Sequence, residues 1–173
     1  MDDLMWATPG GERWLVVADD DVADFVGGIY DFDRVVVSPL QVRHQGRTLE
    51  LDAPDLGLDL RMEGGRGWPI PVPRRRPPWF TRRVEAPIAR RLMGVEAYGV
   101  SPTGVREWYQ ASRYRPVVAA RASLHRADLG SLGRLEPAVR FGFSEPPRRP
   151  SLVEVTTVLE LPAGGRSPRP TPG

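Results

Sequence analysis

The chain of 173 residues contains no cysteine and no lysine, and only two histidines, His44 and His125. Without cysteine there are no disulfides, no thiolate nucleophile and no Cys-ligated metal. Without lysine there is no Schiff-base chemistry, no pyridoxal attachment and no P-loop lysine. The two histidines belong to no metal-spaced pair such as HExxH, and no cofactor is implied. Long apolar runs are missing too: nothing approaches the roughly eighteen residues of a membrane span. The acidic start, MDDLMW, lacks a charged-then-apolar signal pattern. A cytoplasmic location is therefore expected.

What is present is arginine, proline and glycine. All 24 basic residues are arginine, set against 22 acids, for a net charge of +2. The isoelectric point near 9.5 does not mark a strongly basic protein. Little in this chain deprotonates between neutrality and the tyrosine range near pH 10, so a small positive excess persists. Exclusive arginine use resembles the codon bias of GC-rich bacterial genomes, although the planar guanidinium also suits carboxylate and phosphate partners. Nineteen prolines and eighteen glycines favour a fold of many turns. One β-rich domain over 1–161 is expected, followed by a disordered Pro/Gly tail at 162–173.

Along the chain, Leu4 to Thr8 and Arg13 to Ala18 read as strands about a Pro9-Gly10-Gly11 turn. Val22, Phe25, Val26 and Ile29 lie on one helical face, so a helix is predicted near 20–30. The preceding Asp19, Asp20 and Asp21 read as its N-cap and first turn rather than as a metal cluster. Between Arg34 and Glu63 the pattern predicts a three-stranded meander whose first strand Pro39 must bend or leave at an edge. In its last strand Leu56, Leu58, Leu60 and Met62 alternate strictly with polar residues or glycine, which means one buried and one wet face.

From Gly64 to Gly94 the alternation stops. Pro69, Pro71 and Pro73 impose an extended segment, and Trp79 and Phe80 are expected to tack it to the body. Phe80, Val84, Ile88 and Leu92 form a stripe spaced by four, predicting a helix near 82–93 that becomes regular near Pro87 and stops at Gly94. Beyond it, strands are predicted at Val95–Val100, Val105–Gln110, Arg115–Leu124, Val139–Phe143 and Leu152–Leu161. Ser101-Pro102-Thr103-Gly104 is the turn of the first hairpin, and Ala127–Pro137 reads as a loop. The expected fold is mainly β (α+β): an antiparallel barrel or strongly curved sheet built from two meanders. Its layout resembles small ligand-binding barrels of the lipocalin kind in architecture alone.

Three functional readings follow. The first is a small apolar or anionic molecule held in a barrel-like cavity. Its walls would be Leu58, Leu60, Trp108, Tyr109, Phe141 and Phe143, with Arg106 or Arg121 meeting an acidic group. Parity puts Glu107 on the face of Val105 and Tyr109, as a buried carboxylate or as half of an ordinary pair with an arginine such as Arg121. The second is an interaction module that offers Arg74, Arg75, Arg76, Arg82, Arg83, Arg90 and Arg91 to an anionic partner. Nucleic acid is disfavoured as that partner, because no reader motif accompanies the arginines. The third is an acid–base enzyme using His44 or Glu107. His44 shares the parity of Leu40 and Val42, and His125 reads as a surface residue. The segment 99–104 fails as a nucleophile elbow, being too long and joining strand to strand. Gly64-Gly65-Arg66-Gly67 is no dinucleotide fingerprint.

Overall fold

The computed structural model describes residues 2–69, 73, 75–133, 139–144, 146–147 and 149–161. The expected tail at 162–173, the residues Pro71 and Arg74, and part of the expected loop at 127–137 lie outside them.

Strands β1 (Asp3–Ala7) and β2 (Arg13–Val17) form an antiparallel hairpin. Its turn closes through the Gly11 amide on the Thr8 carbonyl, with Gly11 at φ 88°. Helix α1 (Asp20–Gly27) starts where the acidic triplet predicts. The Asp19 carboxylate accepts from the Asp21 and Val22 amides, and Asp20 and Asp21 fill the first turn. The chain then returns as β3 (Arg34–Val37), parallel to β2. This corrects the predicted meander. A crossover helix lets consecutive strands pair in parallel, so the Val35–Val37 run joins the first sheet, in the order β1-β2-β3. Pro39 interrupts the strand instead of bending it.

The meander itself is β4 (Gln41–Gln45), β5 (Thr48–Ala53) and β6 (Leu58–Gly64), all antiparallel. Cross-strand partners share a face. Val42, Leu51 and Leu60 line up, and Ala122 of the next strand continues the row. Leu40, Leu51, Ala53 and Leu58 are buried there, and Leu4 and Trp6 of β1 pack on them. Alternation sends Met5 to the other side of β1. There it meets Leu15, Val17 and the α1 residues Val22, Phe25 and Val26. The first sheet is thus sandwiched between α1 and the second sheet.

The second sheet is organised by β9 (Arg106–Leu124), nineteen residues long. The sequence pattern predicts two strands here, but Ala111 to Tyr114 holds no turn. The register slips opposite Glu154/Val155 and again opposite Glu63/Gly64. Such bulges bend a strand without ending it. The second half of β9 pairs with β6 and with β10 (Ala127–Asp128). The first half pairs with β11 (Ser151–Glu160) on one side, and with β7 (Trp68–Pro69) and β8 (Tyr98–Val100) on the other. The β8–β9 turn is the predicted one, with the Gly104 amide on the Ser101 carbonyl. Residues 139–144, expected as a strand, are irregular. The architecture is mainly β, with two sheets and two helices. Among the described residues the pairings form an open path, β10-β9-β6-β5-β4 with branches on β9, and do not close a barrel.

The second helix, α2, runs through three contiguous parts, Pro78–Phe80, Thr81–Glu85 and Ala86–Met93. The middle part is π-helical: the Ala86 amide reaches back five residues to the Thr81 carbonyl. Pro87 explains it. Proline has no N–H to return to the preceding turn, and its ring crowds the carbonyl there. A wider turn relieves both problems. The regular α-helix begins at Ala86 and ends at Gly94, which is left-handed at φ 70°, as the sequence predicts.

Candidate functional site

Both faces of the first half of β9 are covered, and each carries a buried polar cluster. On one face Glu107 is 0% exposed. Its Oε2 accepts from the Tyr30 hydroxyl at 2.7 Å and from the Tyr109 hydroxyl at 2.8 Å. The two hydroxyls are 3.2 Å apart. Among the described residues Oε1 has no hydrogen-bond partner, and no ion pair involves Glu107. Aromatic rings surround the group. Phe143 stacks on Tyr109 at 5.2 Å, Tyr30 meets Phe32 edge-on at 6.2 Å, and Phe141 lies 6.0 Å from Phe32.

The irregular segment 141–144 covers this cluster. A Cβ on Gly99 would strike the Phe143 ring at 2.2 Å, and one on Gly142 would meet the Tyr30 ring at 2.8 Å. Both glycines are needed for that close approach. Burial pushes the hydroxyls of Tyr30 and Tyr109 above the ordinary tyrosine range. The shared carboxyl acceptor adds to the shift in each.

The opposite face of β9 meets α2. Gln110 donates to the Arg76 carbonyl at 2.8 Å and to the Thr81 hydroxyl at 3.0 Å, and accepts from the Arg76 amide at 3.3 Å. The buried Arg76 guanidinium pairs with Glu85 at 2.7 Å and donates to the carbonyls of Pro73 and Ala111. Arg76 is therefore a correction to the expected basic surface: it is the pin that fastens α2 to β9. Its partner Glu85 is the only acid in the arginine block.

The other expected site residues are scattered. Arg106 is exposed and pairs with Glu160 across the sheet at 3.6 Å. Arg121 is exposed opposite Arg61, far along the strand register from Glu107, whose cross-strand neighbours are Leu159 and Gly99. Trp108 is buried on the α2 side, 5.5 Å from Tyr98. Leu58 and Leu60 belong to the separate core beneath β1. His44 is exposed on β4 opposite Leu49, so no acid–base pair with the buried Glu107 is assembled. His125 is exposed in the β9–β10 turn, at φ 50°. Of the expected set, Glu107, Tyr109 and Phe143 meet around one carboxyl, with Phe141 beside them.

Sequence reasoning missed Tyr30, which lies 77 positions from Glu107. No local pattern links residues so far apart. It also misplaced α2. With one extra residue in the π-turn, 79, 84 and 88 fall on successive turns. Trp79, Val84 and Ile88 are accordingly exposed at 60%, 38% and 53%, while Phe80, Glu85, Ala89 and Met93 lie on the half-buried side. Of the expected stripe Phe80–Val84–Ile88–Leu92, Phe80 is half-buried while Val84 and Ile88 face outward, and Trp79 does not anchor the loop. Arg75, Arg82, Arg83, Arg90 and Arg91 are exposed on or beside this outer face. Arg82 lies over the Tyr98 ring at 5.2 Å and Arg90 pairs with Glu96 at 3.2 Å.

Among the described residues no helix is long and apolar enough to cross a membrane, and no group of three or more metal-ligating side chains gathers. Comparison with protein-family models, curated proteins and solved structures finds no match for this chain.

Proposed function

We propose that the protein is a docking module that engages an anionic partner through the outer face of α2. The observation that carries this is charge segregation. The segment 74–91 holds seven of the 24 arginines and one of the 22 acids, hence net +6 in a chain whose total is +2. That one acid turns inward to Arg76, and of the exposed arginines of this face only Arg90 pairs with an acid among the described residues, Glu96, so the outer face of α2 keeps a positive excess. A field of this kind raises the encounter rate with an anionic surface and is screened by salt. The test is retention on a sulfated polysaccharide column at rising salt. The triple variant Arg82→Gln, Arg83→Gln, Arg91→Gln should elute at clearly lower salt than the parent. Identical elution would refute the reading. Replacing Arg76 is not a test of it, because that side chain holds the fold.

A second reading rests on Glu107. A buried carboxyl oxygen without a partner forfeits about 1–3 kcal/mol, and such departures from full pairing concentrate at functional sites. Five aromatic rings and a free carboxyl oxygen suit a small organic cation. This replaces the barrel-like cavity and the apolar or anionic ligand with a closed aromatic site. Entry requires Gly142 and Phe143 to move off Tyr30 and Tyr109. Thermal-shift measurements with small primary and quaternary amines, against matched neutral compounds, test it. A shift that Glu107→Gln abolishes supports a cation site, and no shift with any amine removes the reading.

A further inference from the structure

We infer that the anionic partner of α2 is the surface of a phospholipid bilayer, with the helix lying in the interface. The inference rests on the docking reading above and goes further in naming the partner.

The first observation is the composition of the outer face. Electrostatic docking alone needs arginines. It gives no reason to present Trp79, Val84 and Ile88 to water in the midst of them. These three do not gather by accident of spacing. On an uninterrupted α-helix, residues 79 and 84 would point well apart. The π-turn over Thr81–Glu85 takes up one residue and aligns them, and Ile88 follows one turn later. Pro87 thus builds an apolar row, flanked by Arg82, Arg83 and Arg91. An interfacial helix needs this combination: aromatic and aliphatic residues that enter the acyl boundary, and arginines that stay at headgroup level. Juxtamembrane arginines gain from anionic lipid within a Debye length of the surface.

The second observation is a groove beside the row. It is lined by Arg82, Ala86, Pro87, Arg90, Arg91, Glu96 and Tyr98 and is about 640 Å3 in volume. Arg82 and Arg91 there suit a phosphate headgroup, with Arg82 held in place over the Tyr98 ring and Arg90 paired with Glu96 at the groove wall. A nucleic acid would use the arginines and Trp79 but finds no counterpart for Val84 and Ile88, since its bases need planar stacking partners. A bilayer uses all of them.

The face is also firmly backed. Arg76, Thr81 and Glu85 tie the inner side of α2 to Gln110 and Ala111 of β9. The outer row can therefore be changed without loosening the helix.

The experiment is co-sedimentation of the full chain with vesicles. One set is phosphatidylcholine alone, and the other is equal parts phosphatidylcholine and phosphatidylglycerol. Binding is expected to the second set, weakening with salt. Trp79→Ala and Ile88→Ser should each lower partitioning, the tryptophan change by about tenfold, while leaving retention on the polyanion column unchanged. The arginine triple variant should lose both. The fluorescence difference between the parent and Trp79→Phe should shift to the blue on anionic vesicles, since Trp79 enters an apolar layer. Column retention without vesicle binding overturns the lipid inference and leaves the docking reading standing. So does vesicle binding that Trp79→Ala leaves intact. An oligonucleotide that binds more tightly than the vesicles and ignores Ile88→Ser assigns the face to nucleic acid instead. Loss of both binding modes in the parent overturns the two readings together.

Discussion

Gln110 and Glu107 stand three residues apart on β9, on opposite faces, and each centres a buried polar cluster. The Gln110 cluster brings a cation and an anion together, Arg76 with Glu85, and ties Arg76 to the Ala111 carbonyl and the Gln110 side chain of β9. The Glu107 cluster brings a carboxyl group and two phenols together and, among the described residues, supplies no cation. The first arrangement is compensated in charge and holds a helix on a sheet. Each leaves buried atoms without a hydrogen-bond partner, Arg76 Nε and Glu85 Oε2 in the first and Glu107 Oε1 in the second, but only the second has no opposite charge beside it among the described residues. Burial alone thus does not tell a structural pin from a candidate site. What separates them is whether the surrounding chain neutralises the group.

The largest effect should come from breaking the compensated cluster. Arg76→Met leaves Glu85 without its cation and should destabilise the fold by about 3–5 kcal/mol, read as a lower urea midpoint. Arg76→Met combined with Glu85→Gln should recover much of that loss. With Glu85→Gln also measured alone, a double variant whose loss equals the sum of the two single losses would mean that the pair is not coupled.

Removing a donor from the other cluster should cost less. Tyr30→Phe and Tyr109→Phe should each lower stability by about 1–3 kcal/mol, the range for taking a partner from a buried polar group. Because both hydroxyls serve one oxygen, the double variant should fall short of the sum. The same phenols predict an alkaline limit. Their folded-state pKa values are raised above the unfolded value near 10, so the fold favours the protonated form. That contribution is fully present below about pH 10 and is lost as pH rises through and beyond it. Urea midpoints should therefore fall above about pH 10, and less so in the double phenylalanine variant.

Glu107→Gln offers the sharpest contrast with Arg76→Met. It keeps an acceptor for both tyrosines and leaves no counter-ion stranded, so stability should stay within about 1 kcal/mol of the parent. A loss as large as that of Arg76→Met would show the two clusters to be equally structural. The smallest effect is expected for Trp79→Ala. At an exposed site it should move stability by about 0.5 kcal/mol or less, while it alters vesicle binding strongly.

Much of the local structure was legible. Asp19 caps α1 because its side chain reaches the first free amides. The Ser101–Gly104 turn forms because proline and glycine suit its two special positions. Leu58, Leu60 and Met62 share a face because strand periodicity is two. The parity of Glu107 with Tyr109 also held, and with it half of the candidate site. The route of the Val35–Val37 run was not legible, since an isolated strand does not say whether its partner is parallel. Nor was the fusion of 106–110 with 115–124, because a bulge leaves no signature as clear as a turn. The four-residue stripe in α2 misled for a definite reason: one proline widened one turn and rotated everything before it.

The sequence by itself determined the cap of α1, the Gly94 end of α2, the Ser101–Gly104 turn and the two-residue alternation of the strands, that chemistry needing thiols or lysine is excluded, and that one segment concentrates arginine. These follow from backbone geometry and side-chain inventory, which act over a few residues. Only the tertiary structure decided that Arg76 is buried, that Tyr30 meets Glu107, and that Trp79, Val84 and Ile88 face outward together. Each of these depends on groups far apart in the chain, or on the winding of a helix against a sheet. Burial and charge compensation are properties of the packed molecule, so no short stretch of residues carries them.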